Sequence, residues 1–212
     1  MLEAAFQYAL TNRAAFWQAL AIHVRLSLAA LVISAGLCVP LGLYIARRRP
    51  LGAELLATFT GLRVVPSLAV LFLAVPYLGL GFYPALVALT LLACPPVLIN
   101  TDAGFRTVDP AVIESAQAMG MDPRQVMWRV EVPLAMPVVV AGLRTAAVEV
   151  FASATLAAFI GGGGLGDFIA RGFALFDPSI MLVGAIPVAI LTLGAEGLLA
   201  GLQRLLENVS RA

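Results

Sequence analysis

Long apolar runs constrain this chain more than any other feature of its sequence. Each of them approaches the roughly 20 residues that a helix needs to cross a bilayer. Only 12% of the 212 residues are charged, against the ~25% typical of soluble domains. The sequence therefore predicts an all-α, polytopic membrane protein with about five transmembrane helices, folded as a single membrane domain over residues 1–212. The predicted spans are about residues 25–46, 55–79, 82–100, 137–160 and 179–202.

The residues ahead of the first span carry apolar side chains at helical spacing. Residues 3–20 predict an amphipathic helix at the membrane interface, or equally an ordinary exposed leader. The chain begins without a basic region, and its first apolar run ends at Arg47-Arg48-Arg49 rather than at small residues. A cleaved signal peptide has the opposite features, so we expect this run to be a retained anchor.

The placement of arginine predicts the orientation of the spans. If the loop at 47–50 is cytoplasmic, alternation places residues 101–136 and the C-terminus on the same side. The opposite side keeps Arg13 and Arg171, with Arg25 near its edge. This excess predicts a cytoplasmic C-terminus and an external N-terminus by the positive-inside rule. The eight arginines on the cytoplasmic side are Arg47, Arg48, Arg49, Arg106, Arg124, Arg129, Arg204 and Arg211.

Several kinds of functional site are excluded by residue types that are missing or scattered. All 13 residues of the Lys+Arg total are arginine, so the run Gly161–Gly166 lacks the lysine of a Walker-type phosphate loop. His23 is the only histidine, and Cys38 and Cys94 lie far apart in apolar runs, which does not make a zinc site. A multispan membrane enzyme, the alternative class, needs clustered His, Asp or Glu near an interface. We therefore predict no catalytic residue, no metal and no cofactor on this chain.

The polar stretch between the third and fourth spans predicts a first short cytoplasmic helix. Asp109 is a favourable N-cap and Pro110 suits the first helical position. The helix is expected to run to about Met119, and Gly120 follows where a left-handed residue commonly ends a helix.

A second short helix is predicted directly after the first. Asp122 is its N-cap, Pro123 opens it, and Val132-Pro133 is expected to close it. Two capped helices form a stiff element on which a soluble motor can act, and a passive channel would have no use for it. A DNA-binding helix-turn-helix is disfavoured because membrane spans lie on both sides.

The same stretch resembles the EAA loop of bacterial ABC importer permeases, whose pattern is E-A-A, three residues, G, nine residues and I-x-L-P. Every spacing matches, with conservative replacements at three positions. In that family the loop docks in a groove of the ATP-binding subunit, which holds the ATP and magnesium. The resemblance implies a type I importer permease fold. It also implies an ATPase-docking surface formed by Glu114, Ser115, Ala116, Gly120, Val130 and Pro133.

The resemblance covers about residues 23–205 and is closest to the osmoprotectant permeases, which serve glycine betaine, carnitine and choline. It implies a bacterial inner-membrane location, ATP-binding cassette subunits, a second permease copy or a paralogue, and a separate extracytoplasmic solute-binding protein. Methionine importer permeases look similar in the glycine run, so methionine or another small polar solute is the alternative cargo. The stretches that carry the resemblance are Val39-Pro40-Leu41-Gly42, Val65-Pro66-Ser67-Leu68-Ala69, Ile99-Asn100-Thr101, Ala141-Gly142-Leu143-Arg144-Thr145, Ala154-Thr155-Leu156-Ala157-Ala158 and Gly161–Asp167.

The glycine run is predicted at the outer end of the fourth span. A hinge or close backbone approach beneath a docked receptor would use the absence of a side chain, and a simple loop is the other interpretation. The residues concerned are Gly161, Gly162, Gly163, Gly164 and Gly166.

Two charged residues fall within predicted spans, where a charge normally faces a cavity or a partner. Arg63 lies in the second span and Glu149 well inside the fourth, at positions where close relatives carry uncharged residues. We expect them to pair across helices with Glu149 facing the pathway; the alternative is snorkelling at the interface. Arg144, nearer the inner surface, is expected to snorkel. The other pathway candidates are Pro66, Ser67, Asn100, Thr101, Ser153 and Thr155.

Overall fold

Helices account for all the regular secondary structure in the described part of the chain. The computed structural model describes the backbone of residues 1–211, and all side chains there except those of residues 49–53, 55, 62 and 209–211. A π-helical turn, Met127–Glu131, and a 3₁₀ segment, Ala154–Ile160, flank α8. The α-helices are α1 Leu2–Thr11, α2 Arg13–Arg47, α3 Arg49–Leu62, α4 Ser67–Leu78, α5 Phe82–Arg106, α6 Pro110–Ala118, α7 Pro123–Val126, α8 Val132–Ser153, α9 Gly166–Ala174 and α10 Pro178–Arg211.

Four continuous helical stretches within residues 1–211 are long and apolar enough to cross a membrane. They correspond to the first, third, fourth and fifth predicted spans, and this confirms an all-α polytopic architecture. They are Arg13–Arg47, Phe82–Arg106, Pro123–Ile160 and Pro178–Asn208.

The predicted continuous span over residues 55–79 is wrong, because the chain breaks there into α3 and α4. Pro66 has an extended backbone, with φ −57° and ψ 134°, and Ser67 starts the 12-residue α4. Proline disfavours helical geometry in the residue before it, which accounts for a break at this position. Both short helices pack against α5, so the second span is replaced by a broken helix with an irregular middle.

The prediction of one amphipathic helix over residues 3–20 is also wrong. The helix ends at Thr11, and α2 begins at Arg13, so residues 13–20 belong to the first long span. The short α1 packs against α10 and buries Ala5, while Phe6 and Leu10 remain exposed.

Helix α5 lies at the centre of the bundle, between α2 and α8. Glycines on α2 and α8 allow the backbones of these two helices to approach α5 closely. A Cβ atom added to Gly42 would lie 2.7 Å from Thr101 Cβ, and one added to Gly142 would lie 2.6 Å from Asn100 Cβ. Small residues are the usual means by which membrane helices bring their backbones together. These contacts fix the α5 face that carries Asn100 and Thr101.

The second of the two predicted short helices does not end at Val132-Pro133 as expected. It continues from Pro123 through the π turn into α8, where the Val132 N–H donates to the Met127 carbonyl, five residues back. Pro133 has no N–H to donate, and the extra residue of a π turn changes the hydrogen-bond register. The chain therefore passes the proline as one helical stretch.

Candidate functional site

The break between α3 and α4 forms one wall of a cleft whose other walls are α5 and α8. The cleft has a volume of about 340 Å³. Five of the eight predicted pathway residues line it, although they come from distant parts of the sequence. The lining residues are Arg63, Val64, Val65, Pro66, Ser67, Val70, Leu91, Leu92, Pro95, Glu149 and Ser153.

Arg63 and Glu149 pair across this cleft, as the cost of isolated charges in the membrane predicted. The Arg63 Nη2 atom lies 3.3 Å from Glu149 Oε1, and the two side chains are 42% and 43% exposed. Charged groups at membrane depth face a partner or a water-filled space rather than lipid. The cleft is thus the polar side of this broken span.

Glu149 lies on a polar face of α8, and part of this face lines the cleft. Thr145, Glu149 and Ser153 recur every four residues, which places them on one helix face. Thr145 and Glu149 also border a second, more open cavity of about 540 Å³ between α8 and α10. Thr145 was not among the predicted candidates; it borders this second cavity but not the cleft, and its hydroxyl donates to the Ala141 carbonyl at 3.1 Å. The four-residue period of polar side chains is the signal that indicates it.

The Arg144 side chain, which was expected to snorkel, has hydrogen-bond partners on a neighbouring helix. Its Nε atom donates to Glu196 Oε1 at 2.6 Å, and its Nη1 atom reaches Gln203 Oε1 at 3.4 Å. Both partners lie on α10, which packs closely against α8. The charge of Arg144 is therefore paired with a carboxylate on the neighbouring helix.

Three pathway candidates are not brought to the cleft. Thr101 is fully buried against Gly42 and donates to the Val97 carbonyl at 2.7 Å. The Asn100 side chain donates to the Pro96 carbonyl at 2.8 Å, and Thr155 donates to the Ala152 carbonyl at 2.7 Å. Each of these hydroxyl or amide groups donates its hydrogen bond to a backbone carbonyl three or four residues earlier in the chain.

Helix α6, the first of the two predicted short helices, has the local structure that its sequence predicted. The Asp109 side chain accepts a hydrogen bond from the Ala111 N–H at 2.9 Å, and Pro110 starts α6. Gly120 follows the helix with φ +86°, a region where side chains are strained.

The second helix begins with a capping box. Asp122 Oδ1 accepts from the N–H groups of Arg124 and Gln125 at 2.8 and 2.9 Å, and Gln125 Oε1 accepts from the Asp122 N–H at 3.1 Å. Such reciprocal bonds satisfy donors that a helix start otherwise leaves free. The start of the stretch that becomes α8 is therefore firmly defined.

The two helices form a unit that we call the coupling element, residues 109–133. Ala116 and Val126 are buried within it, while Glu114, Ser115, Gly120 and Pro133 are exposed and Val130 is half-buried. Two large apolar side chains also face outward, Met119 at 78% and Trp128 at 65% exposure. The coupling element thus presents a mixed polar and apolar surface.

An ion pair fastens the coupling element to the bundle. Arg47, at the end of α2, donates from Nη2 to Glu131 Oε2 at 2.8 Å. Glu131 belongs to the π turn that leads into α8. The element is therefore held to two membrane helices and is more than a tethered loop.

The glycine run is closely packed at the opposite end of α8. Gly161, Gly163 and Gly164 have φ values of +69°, +73° and +98°, which favour glycine. A Cβ atom on Gly164 would lie 3.4 Å from Nδ1 of His23, a side chain with no exposed surface. His23 Nε2 donates to the Phe151 carbonyl at 3.1 Å. Of the two interpretations, close backbone approach describes this geometry.

Curated proteins of known type are similar to this chain over most of its length. The carnitine transport permease protein OpuCB of Listeria monocytogenes is 43% identical over 88% of this chain and 84% of its own. The choline transport system permease protein OpuBB of Bacillus subtilis is 40% identical over 86% and 84%. The osmoprotectant import permease protein OsmW of Salmonella typhimurium is 34% identical over 78% and 79%.

Solved structures share the fold at lower identity. An inward-facing structure of the MetNI methionine ABC transporter has a TM-score of 0.76 and 20% identity, covering 95% of this chain and 97% of the other. An amino acid ABC transporter solved with histidines has a TM-score of 0.74 and 21% identity, covering 94% and 97%. The bundle is therefore the type I ABC importer permease fold.

A protein-family model matches the chain from the end of the first span through the cleft, the coupling element and the last span. The family is described as the binding-protein-dependent transport system inner membrane component, and its model matches residues 38–208. The match covers well over half of the chain, which is therefore an integral membrane protein of the transport class. We conclude that this chain belongs to the family of binding-protein-dependent transport system inner membrane components, the permease subunits of ABC importers.

Proposed function

We propose that this chain forms the membrane path of an ATP-driven importer for small osmoprotectant solutes such as glycine betaine, carnitine or choline. The observation that carries the solute class is the 43% and 40% identity to permeases named for carnitine and choline transport, each matched over 84% of its length. A methionine importer is the competing assignment. The methionine transporter structure, at 20% identity, supports only the fold.

The proposed complex contains two permease chains, either two copies or a copy and a paralogue. Two ATP-binding cassette subunits hold ATP and magnesium, and a separate extracytoplasmic protein delivers the solute. The arginine distribution supports an external N-terminus and a cytoplasmic C-terminus. In this orientation the coupling element faces the ATPases and the glycine run faces the receptor.

The coupling element is proposed to dock on the ATPase through the exposed surface around Glu114, Ser115 and Gly120, with the buried Ala116 beneath this surface and Val130 and Pro133 bracing it. Supporting features are the exposure of Glu114 and the ion pair of Arg47 with Glu131, which links the element to α2. The cleft at Arg63 and Glu149 is the proposed solute path. This chain performs no covalent chemistry in the cycle.

Reconstitution tests the transport assignment. The chain, its candidate ATPase and its candidate receptor are placed in proteoliposomes, and uptake of labelled glycine betaine, choline and methionine is measured with and without ATP. ATP-dependent uptake of betaine or choline is the expected result. Uptake of methionine alone would overturn the solute assignment.

A matched pair of variants tests the docking surface. Glu114→Ala is expected to lower both receptor-stimulated ATP hydrolysis and uptake, because it removes a docking carboxylate. Glu54→Ala removes another exposed carboxylate, on α3 and outside the coupling element, and is expected to leave both activities near the starting level. Equal losses in the two variants would contradict the docking role.

A further inference from the structure

The ion pair in the cleft is the loosest one among the described side chains. Arg63 and Glu149 meet at a single recorded contact of 3.3 Å, whereas Arg47–Glu131 and Arg106–Asp102 both meet at 2.8 Å. Charge-assisted N–H···O bonds are usually about 2.7–2.9 Å long. A guanidinium has five N–H donors and a carboxylate has two acceptor oxygens. The pair therefore leaves much of its hydrogen-bonding capacity unused.

Both charged groups point into a space where a solute fits. The cleft of about 340 Å³ lies at the small end of the ~300–1,000 Å³ range of ligand pockets. Ser67 and Ser153 contribute hydroxyl groups next to the ion pair, and the remaining walls are aliphatic. The cleft thus offers one cation, one anion and apolar surface within a short distance.

We propose that Arg63 and Glu149 form a passing site for a small solute that carries both a cationic group and a carboxylate. The solute separates the pair: its carboxylate takes the place of Glu149 on Arg63, and its cation takes the place of Arg63 on Glu149. Charge neutrality in the span is kept before, during and after passage. This inference rests on the proposed function, since it assigns the residues of that pathway that recognise the cargo.

The composition of the cleft suits release rather than retention. None of the described side chains that line it is aromatic, whereas tight recognition of quaternary ammonium groups uses aromatic faces. A single carboxylate and aliphatic walls bind such a cation weakly. Weak binding is what a site on a pathway requires, because the solute must leave on the cytoplasmic side.

A purely structural ion pair makes a different prediction from a solute site. If the two charges only neutralise each other, removing one is harmful and removing both restores the protein. If they bind solute, Arg63→Gln/Glu149→Gln assembles and still loses recognition. The double variant Arg144→Gln/Glu196→Gln is the matched control, since it removes another interhelical pair in the spans.

The test uses the complete importer in proteoliposomes, with two readouts. The first is uptake of glycine betaine, which has both charges, and of choline, which lacks the carboxylate. The second is the thiol-labelling rate of Ser153→Cys, a cleft position, with and without saturating glycine betaine or methionine. The natural cysteines, Cys38 and Cys94, are buried, and labelling of the importer without the added cysteine gives the background.

We expect Arg63→Gln to raise the choline-to-betaine uptake ratio about tenfold, because it removes one charge-assisted contact to the carboxylate. Both solutes should fall with Glu149→Gln, since each carries the cation. Glycine betaine should slow labelling in the parent, and this protection should disappear in Arg63→Gln/Glu149→Gln. The control double variant should keep the parental uptake ratio and protection.

Two results would overturn the solute site. One is parental uptake and protection in Arg63→Gln/Glu149→Gln; the other is the absence of protection by both glycine betaine and methionine in the parent. If neither betaine nor choline is imported but charge-dependent protection by methionine persists, the solute assignment fails and the site stands. The two failures are thereby distinguished.

Discussion

Replacing Gly142 by alanine tests the helix contact that holds the cleft in shape. The added Cβ would lie 2.6 Å from Asn100 Cβ and 2.8 Å from the Pro96 carbonyl oxygen. Carbon atoms in contact are normally about 3.5–4.0 Å apart, so α5 and α8 must separate by roughly 1 Å. Overpacking of this kind costs about 1–3 kcal/mol, and the better helix propensity of alanine returns about 0.5–1 kcal/mol. We expect a net destabilisation of about 1–2 kcal/mol.

Thermal unfolding of the purified importer in detergent measures the effect. For a chain of this size, 1 kcal/mol corresponds to about 2–4 °C, so Gly142→Ala should lower the melting temperature by several degrees. Gly36→Ala is the control, because a Cβ there meets no atom within 4 Å and only the gain in propensity remains. A melting temperature for Gly142→Ala equal to or above that of Gly36→Ala would refute the close α5–α8 contact.

Three further perturbations probe the two ends of the bundle. Asp122→Ala removes the N-cap of α7 at a cost of about 1 kcal/mol, so hydrogen exchange of residues 123–126 should accelerate. Asp122→Asn should keep most of the protection, and equal exchange in the two variants would contradict the capping role. Gly164→Ala places a side chain at φ +98° against His23; a cost of about 1–3 kcal/mol should reduce the yield of folded protein, and a normal yield would argue against this backbone geometry. Glu131→Gln breaks a partly exposed pair with Arg47 and should change stability by about 1 kcal/mol or less, yet raise the ATP consumed per solute imported. An unchanged ratio of ATP to solute would contradict a role of this pair in coupling.

The parts of the fold that follow from neighbouring residues were predictable. Asp109 and Asp122 cap helices with their carboxylates, and Gly120 has the positive φ that its lack of a side chain allows, each as predicted. Capping depends on atoms within three or four residues, so one sequence is enough. Local sequence does not predict which residues line the cleft. The cost of an isolated charge in the membrane was the one argument that indicated the pairing of Arg63 with Glu149.

Interactions between helices limited the remaining predictions. Arg144 was expected at the interface because its sequence neighbourhood does not reveal which face of α10 carries Glu196. Asn100 and Thr101 are polar residues at the end of a span, and only the positions of Gly142 and Gly42 on other helices show that they are packing residues. Pro133 would end most helices, and the π turn that accommodates it depends on hydrogen-bond register rather than composition.

The contacts of α8 with α2 differ from its contact across the cleft. At the coupling element, Glu131 joins the start of α8 to Arg47 of α2, and near the glycine run the Phe151 carbonyl accepts from His23 of the same α2. The two helices are therefore joined at both ends of α8. The broken α3–α4 wall faces α8 across the cleft, where the recorded polar contact is the loose pair of Arg63 with Glu149. In the proposed transport cycle, a displacement of the coupling element would therefore strain that pair before the bonds that unite α2 and α8.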